Sequence, residues 1–261
     1  MTAQAKTLEN SPFSDILPLL EHLPDAPQTM PLQSLASLFQ KQRVTTTQLP
    51  FLEFLQRWQK IIAVNHPRLC LYASAYDAPD NAAAQTEKNI AACNNPATAL
   101  QQQCQQINID LRVYELDLTT RGMTDARAAQ AMTYGMLAVE DNIDVLAIHT
   151  LSSGADEAAQ QLLKTDLPVE HGEMILSTAT ALMGLDFCAA LGACLAARLA
   201  QKPVLLSGDF GRALQKVLNR LSPKATEHIY LANEELVPAL YQSLYQLQQA
   251  RFAMTFLPSA V

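Results

Sequence analysis

Residues 183–210, MGLDFCAALGACLAARLAQKPVLLSGDF, decide the fold class of this chain. The first half of the segment is rich in small residues, namely Ala189, Ala190, Gly192, Ala193, Ala196 and Ala197. Such residues predict a helix that another backbone can approach closely. After Lys202 and Pro203, the apolar residues 204–206 end in Ser207-Gly208-Asp209. A short apolar strand followed by glycine and a polar residue is typical of a buried parallel strand whose carboxyl end is open to a ligand. The segment therefore predicts an α/β scaffold of the kind found in enzymes.

The rest of the chain repeats this alternation of short apolar runs and helical stretches. The predicted strands are 69–72, 111–116, 144–149, 204–206 and 228–231. The predicted helices are 81–107, 124–140, 155–163, 187–199, 213–221 and 234–251. This alternation predicts an α/β fold, a doubly wound and mostly parallel sheet with helices on both faces. We expect residues 66–261 to form this core and residues 1–65, including a helix at 49–62, to form a helical N-terminal appendage.

Composition limits the classes of function. The chain has 261 residues, of which 49% are hydrophobic and only 16% charged, with a formal net charge of −7. No basic cluster is present, so nucleic acid is not an expected partner. The low charge content predicts that part of the surface is covered, by a second copy in a homodimer or by a different protein.

The cysteines and the most apolar segment bear on the cellular compartment of the protein. Its five cysteines have no metal-site spacing, which predicts free thiols in a reducing cytoplasm and no metal or cofactor. The first residues lack the basic and apolar pattern of a signal peptide. Residues 182–199 are apolar, but Asp186 and Arg198 interrupt them, so we expect a buried helix and no membrane span.

Polar residues follow several of the predicted strands. In a parallel sheet, ligands bind beyond the carboxyl ends of the strands. The candidates for the floor of a ligand site are therefore Ser74, Tyr76, Asp117, His149, Thr150, Ser207, Gly208 and Asp209.

The order of the motifs resembles one known family. The small-residue helix and the segment KPVLLSG at 202–208 are similar to a Gly-Gly-Phe-Asp turn, a small-residue helix and Pro-Val-Leu-Leu-Asp-Gly-Phe. The same order holds for the other matching segments, which are 47–53, 71–74, 84–89, 222–223 and 228–231. In these features the chain resembles the nicotinate-nucleotide–dimethylbenzimidazole phosphoribosyltransferases, from about residue 47 to about residue 235.

The resemblance implies a reaction and a set of ligands. Members of that family transfer phosphoribose from nicotinate mononucleotide to a benzimidazole base, and the product enters the lower ligand of cobalamin. A glutamate accepts the proton of the base, which is general-base catalysis on two positioned substrates. The resemblance also implies a dimer. It places Gln85 on the benzimidazole side, and Asp186 and Gly208 match positions that the family keeps.

Other positions depart from the family pattern. Residues 255–261 hold no equivalent of the family's C-terminal catalytic glutamate, and Thr150 stands where a second glutamate is expected. The family's Asp-His-Gly is replaced by residues 74–76, and its Arg-Gly-Thr-Thr-Gly turn by residues 94–98. Its phosphate-binding stretch is reduced to residues 163–174. We therefore expect weakened or lost catalysis; the catalytic base is unknown, and Glu173 and Asp209 are weak candidates to replace it.

Most candidate site residues also have a structural interpretation. Asp186 either orients a ribose or caps the helix that follows it, and the strong preference for aspartate at helix N-termini favours the cap. The same argument applies to Asp209. His149 is a candidate ligand contact, although a lone histidine at a strand end is more often structural.

The loops leave similar alternatives open. Gln85 is either a contact to the heterocycle or a surface residue. Ser152, Ser153 and Gly154 form either an anion-binding turn or the start of a helix. The cluster Glu170-His171-Gly172-Glu173 carries metal-compatible side chains, but a solvated loop is favoured because no third spaced ligand is present.

Two other enzyme classes are excluded by missing motifs. Residues 205–209 lack the first glycine of the hydrolase elbow Gly-x-Ser-x-Gly. No Gly-x-Gly-x-x-Gly follows the first strand, which argues against a dinucleotide dehydrogenase. Two hypotheses remain: a divergent transferase with a substitute base, or a non-catalytic small-molecule-binding protein or regulatory partner subunit.

Overall fold

The sheet has five strands that are all parallel. The structure, a computed structural model, describes residues 11–27, 53–55, 57–58, 64, 66–76, 81–106, 108–119, 123–140, 142–169 and 171–232. The strands are β1 (Pro67–Ala73), β2 (Asp110–Glu115), β3 (Val145–Thr150), β4 (Val204–Ser207) and β5 (Ile229–Ala232). They are ordered β2-β1-β3-β4-β5, and each neighbouring pair is parallel. The parallel sheet predicted from the sequence is confirmed.

Seven α-helices connect and cover the described strands. They are α1 (Ala82–Asn94), α2 (Ala99–Gln106), α3 (Asp125–Met136), α4 (Ala155–Lys164), α5 (Gly172–Leu182), α6 (Leu185–Leu199) and α7 (Gly208–Leu221). Short 3₁₀ segments lie at Leu17–His22, Leu137–Val139 and Pro223–Thr226.

Both faces of the sheet are covered, because most positions of its central strands are apolar. All seven residues of β1 are buried. Since side chains alternate along a strand, Cys70 and Tyr72 belong to the core on one face, together with most of α3, α6 and α7. Leu69 and Leu71 belong to a smaller core on the other face, where Cys93 of α1 and Cys104 of α2 also pack. This arrangement is the predicted doubly wound α/β fold.

The small residues of α6 serve a close helix crossing. A Cβ atom added at Gly192 would lie 1.8 Å from the carbonyl oxygen of Met132, and one added at Gly135 would lie 1.8 Å from that of Ala189. Each glycine therefore lets the backbone of the other helix approach. The close approach predicted from the composition of this helix is confirmed, and its partner is α3.

Two helix predictions were wrong, and one helix was missed. The predicted helix 81–107 is two helices, since α1 ends at Asn94 and α2 begins at Ala99, after Asn95 and Pro96. A proline is incompatible with a helix interior, which accounts for the break. Helix α5 was not predicted at all, and α7 begins at Gly208, five residues before the predicted start at Ala213. The predicted helix 234–251 lies outside the described residues.

The N-terminal segment packs against the core. Phe13, Ile16 and Leu23 are buried in the main hydrophobic cluster. The guanidinium of Arg198, on α6, donates a hydrogen bond of 2.6 Å to the carbonyl of Pro24. Of the helix predicted at 49–62, residues 53–55 and 57–58 are described and are helical. Within the described ranges, no helix combines the length and the hydropathy that crossing a membrane requires.

Candidate functional site

The order of the strands gives the sheet a topological switch point at its carboxyl edge. In a sheet ordered β2-β1-β3-β4-β5, the chain turns to opposite sides after β1 and β3, and ligands bind where these two strands diverge. Ser74 and Tyr76 follow β1 directly, Thr150 ends β3, and Ser152 follows it. All four hydroxyl-bearing side chains therefore lie at this switch point.

A single carboxylate binds all four hydroxyls. Ser74 and Tyr76 donate hydrogen bonds of 2.9 and 2.8 Å to Oδ1 of Asp186. Thr150 and Ser152 donate bonds of 2.5 and 2.7 Å to Oδ2. A fifth bond, of 2.8 Å, comes from the backbone N–H of Phe187 to Oδ1. Asp186 is fully buried, so these donors replace the water that the carboxylate loses.

Further bonds fix the directions of these hydroxyls. Ser74 Oγ accepts from the backbone N–H of Asp186 at 3.2 Å, and Ser152 Oγ accepts from the N–H of Ser74 at 2.8 Å. Thr150 Oγ1 accepts from the N–H of Ser152 at 3.0 Å. Each hydroxyl has only one proton, so each of these three donates to Asp186 while it accepts from the backbone. Burial and the charge of Asp186 raise the pKa of Tyr76 well above its usual range.

The interpretation of Asp186 as the helix cap needs correction. The N-cap of α6 is Gly184, and Asp186 is the second residue of the helix. Its side chain accepts one backbone N–H bond, as a cap does, but four of its five hydrogen bonds reach the ends of β1 and β3. Asp186 therefore ties the helix to both strands of the switch point.

The turn after β3 is held from both sides. The N–H of Ser152 donates to Thr150 Oγ1, and the N–H of Ser153 donates to Thr86 Oγ1 at 3.0 Å. Gly154 is the N-cap of α4 and has a φ of 94°, in the left-handed region that glycine tolerates. Ser152–Gly154 thus start a helix, and the amides of both serines already have acceptors.

Gln85 lies close to this turn on the outer surface. It is exposed and donates to Asn89 Oδ1 at 3.0 Å, while Asn89 donates to the carbonyl of Leu151 at 2.9 Å. Thr86 and Asn89 were not proposed as site residues, although they follow Gln85 on the same helix. Their polar side chains at the start of α1 were the available signal.

His149 is separated from the Asp186 network. Along β3, Leu146 and Ile148 face the main core and Val145 and Ala147 face the smaller one. By this alternation, Thr150 faces α6, whereas His149 faces the opposite side of the sheet. The two adjacent candidates therefore cannot contact the same ligand atom.

Asp209 lies at the carboxyl end of β4. Ser207 is the N-cap of α7, and Gly208 is exposed with a φ of 66° and open space where a side chain would be. Asp209, in the first turn, forms an ion pair of 2.9 Å with Arg212 and accepts a bond of 2.9 Å from Gln160. Both of its oxygens therefore already have donors.

Glu173 is at the other end of the molecule. A Cβ atom on its neighbour Gly172 would touch Leu17 and Leu221, and Leu221 is the last residue of α7, which runs away from the carboxyl edge. Helix α5 then leads back towards Asp186. Glu173, one of whose oxygens is buried without a hydrogen bond, is thus at the amino edge, and its position does not support a role as the base.

The remaining candidates are partnered or lie apart. Asp117 forms a 2.8 Å ion pair with Arg127 and accepts bonds from Thr119. His171 is exposed beside α5, whereas Glu170 lies outside the described residues. In the part of the chain that the structure describes, no three histidine, cysteine, aspartate or glutamate side chains are grouped to hold a metal ion.

Comparisons with known proteins agree on one family. No family model matches the chain. In an alignment 288 positions long, it is 24% identical to the curated nicotinate-nucleotide–dimethylbenzimidazole phosphoribosyltransferase of Rhizobium leguminosarum bv. trifolii (strain WSM2304), covering 90% of this chain and 84% of the relative. The crystal structure of the enzyme of that name from Thermus thermophilus has a TM-score of 0.59 at 15% identity, over 86% of this chain and 96% of that one. A crystal structure of CobT from the same organism gives 0.58 at 13% identity, over 84% and 96%. With the motif order described above, the sequence similarity to the Rhizobium protein supports a resemblance to the nicotinate-nucleotide–dimethylbenzimidazole phosphoribosyltransferases, and the two solved structures show that the chain shares their fold.

Proposed function

We propose that this chain is a phosphoribosyltransferase-like protein of cobalamin lower-ligand metabolism that binds a nicotinate nucleotide and a benzimidazole-type base, with weakened or lost catalysis. The ligands are taken from the name of the curated relative, whose alignment covers 90% of this chain. The proposed site is the carboxyl edge of the sheet, between the turn after β3 and the exposed Gly208.

The state of the carboxylates supports weakened catalysis. Donors and cations that already bind a carboxylate favour its ionised form and so make it a weaker general base towards the attacking nitrogen. Asp186 accepts five hydrogen bonds, Asp209 is bound by Arg212 and Gln160, and Asp117 is bound by Arg127. The position of the second family glutamate holds Thr150, whose hydroxyl is itself a donor to Asp186. Loss of a general base costs a factor of about 10² to 10⁴ in rate.

One experiment tests binding and turnover separately. The purified full chain is titrated calorimetrically with nicotinate mononucleotide and with dimethylbenzimidazole, and nicotinate release is then measured with both present. The Rhizobium relative serves as the active reference. We expect binding of at least one ligand and release at least about 100-fold slower than the reference. Absence of binding by both ligands would overturn the proposed function, and release at the reference rate would overturn only the weakened catalysis.

The same measurements of binding and nicotinate release distinguish a second candidate function from the weakened transferase. If the carboxylates serve only structure, the chain is a non-catalytic small-molecule-binding or regulatory partner subunit. Binding without release, together with capture of a complete homologue in a pull-down with the purified relative, supports that role. Slow but saturable release of nicotinate would contradict the non-catalytic role.

We also propose that the chain forms homodimers in a reducing cytoplasm. Tyr134 and Leu137, each 42% exposed, lie three residues apart at the end of α3, and large exposed apolar side chains in a cluster are typical of protein contacts. All five cysteines are free and buried. Light scattering at micromolar concentration tests self-association. A mass of one chain for the wild type contradicts the dimer, whereas loss of the dimer in Leu137→Glu locates its interface.

A further inference from the structure

Trp58, Arg198 and His228 form a buried cluster, named here the Trp58 cluster, where the N-terminal segment meets the core. Trp58 is 5% exposed, and Arg198 and His228 are fully buried. The guanidinium carbon of Arg198 lies 5.1 Å from the centroid of the Trp58 ring, and the ring centroids of Trp58 and His228 are 6.0 Å apart, with the ring planes at 70°. His228 directly precedes β5, so the cluster is at the amino edge of the sheet, away from the proposed ligand site.

The hydrogen bonds of His228 determine which of its nitrogens can take up a proton. Nε2 lies 2.9 Å from the carbonyl oxygen of Cys194, so Nε2 carries the hydrogen of the neutral ring and donates it there. Nδ1 then presents a lone pair, and this buried atom has no hydrogen-bond partner among the described residues. A proton on Nδ1 would therefore form no hydrogen bond while Trp58 covers the ring.

Burial and charge also oppose a cationic His228. Burial is the main cause that holds the pKa of His228 at about 3 instead of 6.5, and the positive charge of Arg198 acts in the same direction. A second guanidinium, that of Arg57, lies 5.9 Å from the centroid of the Trp58 ring. Protonation of His228 would therefore place a third cation around one indole.

The acidic side chains near the cluster already have partners. Glu227 pairs with Arg198 at 2.9 Å, and Asp25 pairs with Lys224 at 2.8 Å on the surface. In the described part of the chain, no carboxylate is hydrogen-bonded to His228. A protonated imidazole would thus find an acceptor for its second N–H, namely water, only after the indole that covers it moves away.

We propose that the Trp58 cluster is an acid-sensitive contact between the N-terminal segment and the core, in which protonation of His228 releases Trp58 while the sheet stays folded. The proposal concerns a conformational change at the amino edge. It goes beyond the proposed function and does not depend on it.

The contacts around Trp58 support a local release. Its indole N–H has no hydrogen-bond partner among the described residues, so burial and ring contacts hold the side chain. Phe54, one helical turn earlier, packs on Tyr230 of β5 with ring centroids 5.5 Å apart. Strand β5 is the last strand of the described sheet and has four residues. Elements held at such an edge open more readily than the centre of a domain.

Proton linkage gives the size of the effect. When Trp58 is released, His228 reaches water and regains its ordinary pKa of 6.5, so release takes up a proton below that pH. The ratio of released to docked protein should therefore rise about 25-fold when the pH falls from 7 to 5. Well above pH 7 this ratio should not depend on the ionisation of His228.

The test follows hydrogen exchange of the Trp58 indole by NMR. The chain has one tryptophan, so its indole N–H gives a single signal. Exchange is measured in the full chain from pH 7 to pH 5 and divided into the exchange rate of N-acetyltryptophanamide at the same pH. The quotient is a protection factor, which falls as release becomes more frequent. We expect a decrease of about 25-fold over this range, and an unchanged protection factor would overturn the proposal.

Histidine variants assign the proton. In His228→Gln the protection factor should stay constant, because the titrating group is gone. His22→Gln, in the N-terminal segment, and His171→Gln, at an exposed position, should keep the full decrease. A response that persists in His228→Gln, or one that is lost in either control, contradicts the proposal. If His228→Gln does not fold, the wild-type profile and the two controls decide by the same criteria.

Backbone amides distinguish local release from global unfolding. The strand β1 is paired on both sides, so its amides at residues 69–71 exchange only when the sheet opens. Local release predicts that the Trp58 indole has a lower protection factor than these amides at pH 5. Equal protection of the indole and the β1 amides would show that Trp58 is exposed only when the whole domain unfolds, and the acid-sensitive contact would be refuted.

Discussion

Gly192 of α6 faces the carbonyl oxygen of Met132 of α3 so closely that a Cβ atom at Gly192 would lie 1.8 Å from that oxygen. The contact is between the backbones of the two helices, so no side chain can rotate away to make room for the added Cβ atom. Overpacking of a core usually costs about 1–3 kcal/mol, and a contact between two backbones belongs at the upper end. We therefore expect Gly192→Ala to lower the free energy of unfolding by about 3 kcal/mol. Urea denaturation measures this, with Ala126→Ser, exposed on α3, as the control. Equal midpoints for the two variants would show that the helices separate without cost.

The hydroxyl of Thr150 gives a second prediction. Thr150→Val keeps the shape of the side chain but removes one of the five hydrogen bonds to the buried Asp186 and also the acceptor of the Ser152 N–H. A hydrogen bond to a charged group contributes about 1.5–3 kcal/mol, so the unfolding free energy should fall by at least that amount. Ser153→Ala is the control, because Ser153 joins the network through its backbone N–H, which the substitution keeps. If Thr150→Val is as stable as the control, the bond adds nothing to stability.

Arg198 anchors the N-terminal segment to the core. Its buried guanidinium donates to the carbonyls of Pro24 and Lys224 at 2.6 and 2.7 Å, pairs with Glu227 at 2.9 Å and lies 5.1 Å from the ring centroid of Trp58. A lysine cannot reproduce this planar set of donors. We expect Arg198→Lys to cost about 2–4 kcal/mol and to speed proteolytic cleavage near residue 24.

Limited proteolysis and urea denaturation check the Arg198 prediction together. The matched control is Arg212→Lys, at an exposed arginine that pairs with Asp209 on the surface. Unchanged cleavage in Arg198→Lys would mean that Arg198 does not hold the segment.

His228 gives a pH dependence. Burial is the main cause that lowers the pKa of His228 from 6.5 to about 3, and its Nε2 lies 2.9 Å from the carbonyl of Cys194. In this range the unfolded chain binds a proton that the folded chain does not, so stability falls as pH decreases from 6.5 towards 3. Between about pH 7 and pH 5 the loss due to this residue is about 2 kcal/mol.

Substitution isolates this contribution. The drop in unfolding free energy between these two pH values should be about 2 kcal/mol smaller in His228→Gln than in the wild type. His171→Gln, at an exposed position, should retain the full drop. Parallel pH profiles for wild type and His228→Gln would contradict a neutral, buried His228.

The cysteines should be unreactive in the folded protein. Burial raises the pKa of Cys70 to about 12 and that of Cys104 to about 11, and it raises those of Cys188 and Cys194 further. The thiolate is the reactive form, so a disulfide reagent near pH 8 should modify none of the five cysteines rapidly. In concentrated guanidinium chloride all five should react. Rapid modification of any one of them in the native protein would place that thiol at the surface.

The sheet could be predicted because its strands carry strong local signals. Four of the five strands are short and mostly apolar, and β2 alternates polar and apolar residues. The small residues of α6 indicated a close helix contact before its partner was known. Helix α5 was missed because it begins at Gly172, a residue type that more often follows a helix than starts one. Its buried residues Ile175, Leu176 and Ala179 are apolar, but the preceding residues suggested a solvated loop.

The site was predicted only in part. Ser74, Tyr76 and Thr150 were placed at the correct edge, because the strand order makes every carboxyl end meet there. The role of Asp186 was not found, since an aspartate near a helix start gives the same local pattern whether it caps the helix or binds distant hydroxyls. Its partners Ser74 and Thr150 are 112 and 36 residues away, which no local spacing encodes.

The separation of Ser74 from Asp186 also has a consequence for synthesis. A polypeptide still on the ribosome carries Ser74 for 112 residues of further synthesis before Asp186 is added, and Thr150 for 36. Until α6 emerges from the exit tunnel, water must satisfy the hydroxyls of the four side chains that bind Asp186. The hydrogen bonds to Asp186 can therefore form only late in the synthesis of this part of the protein.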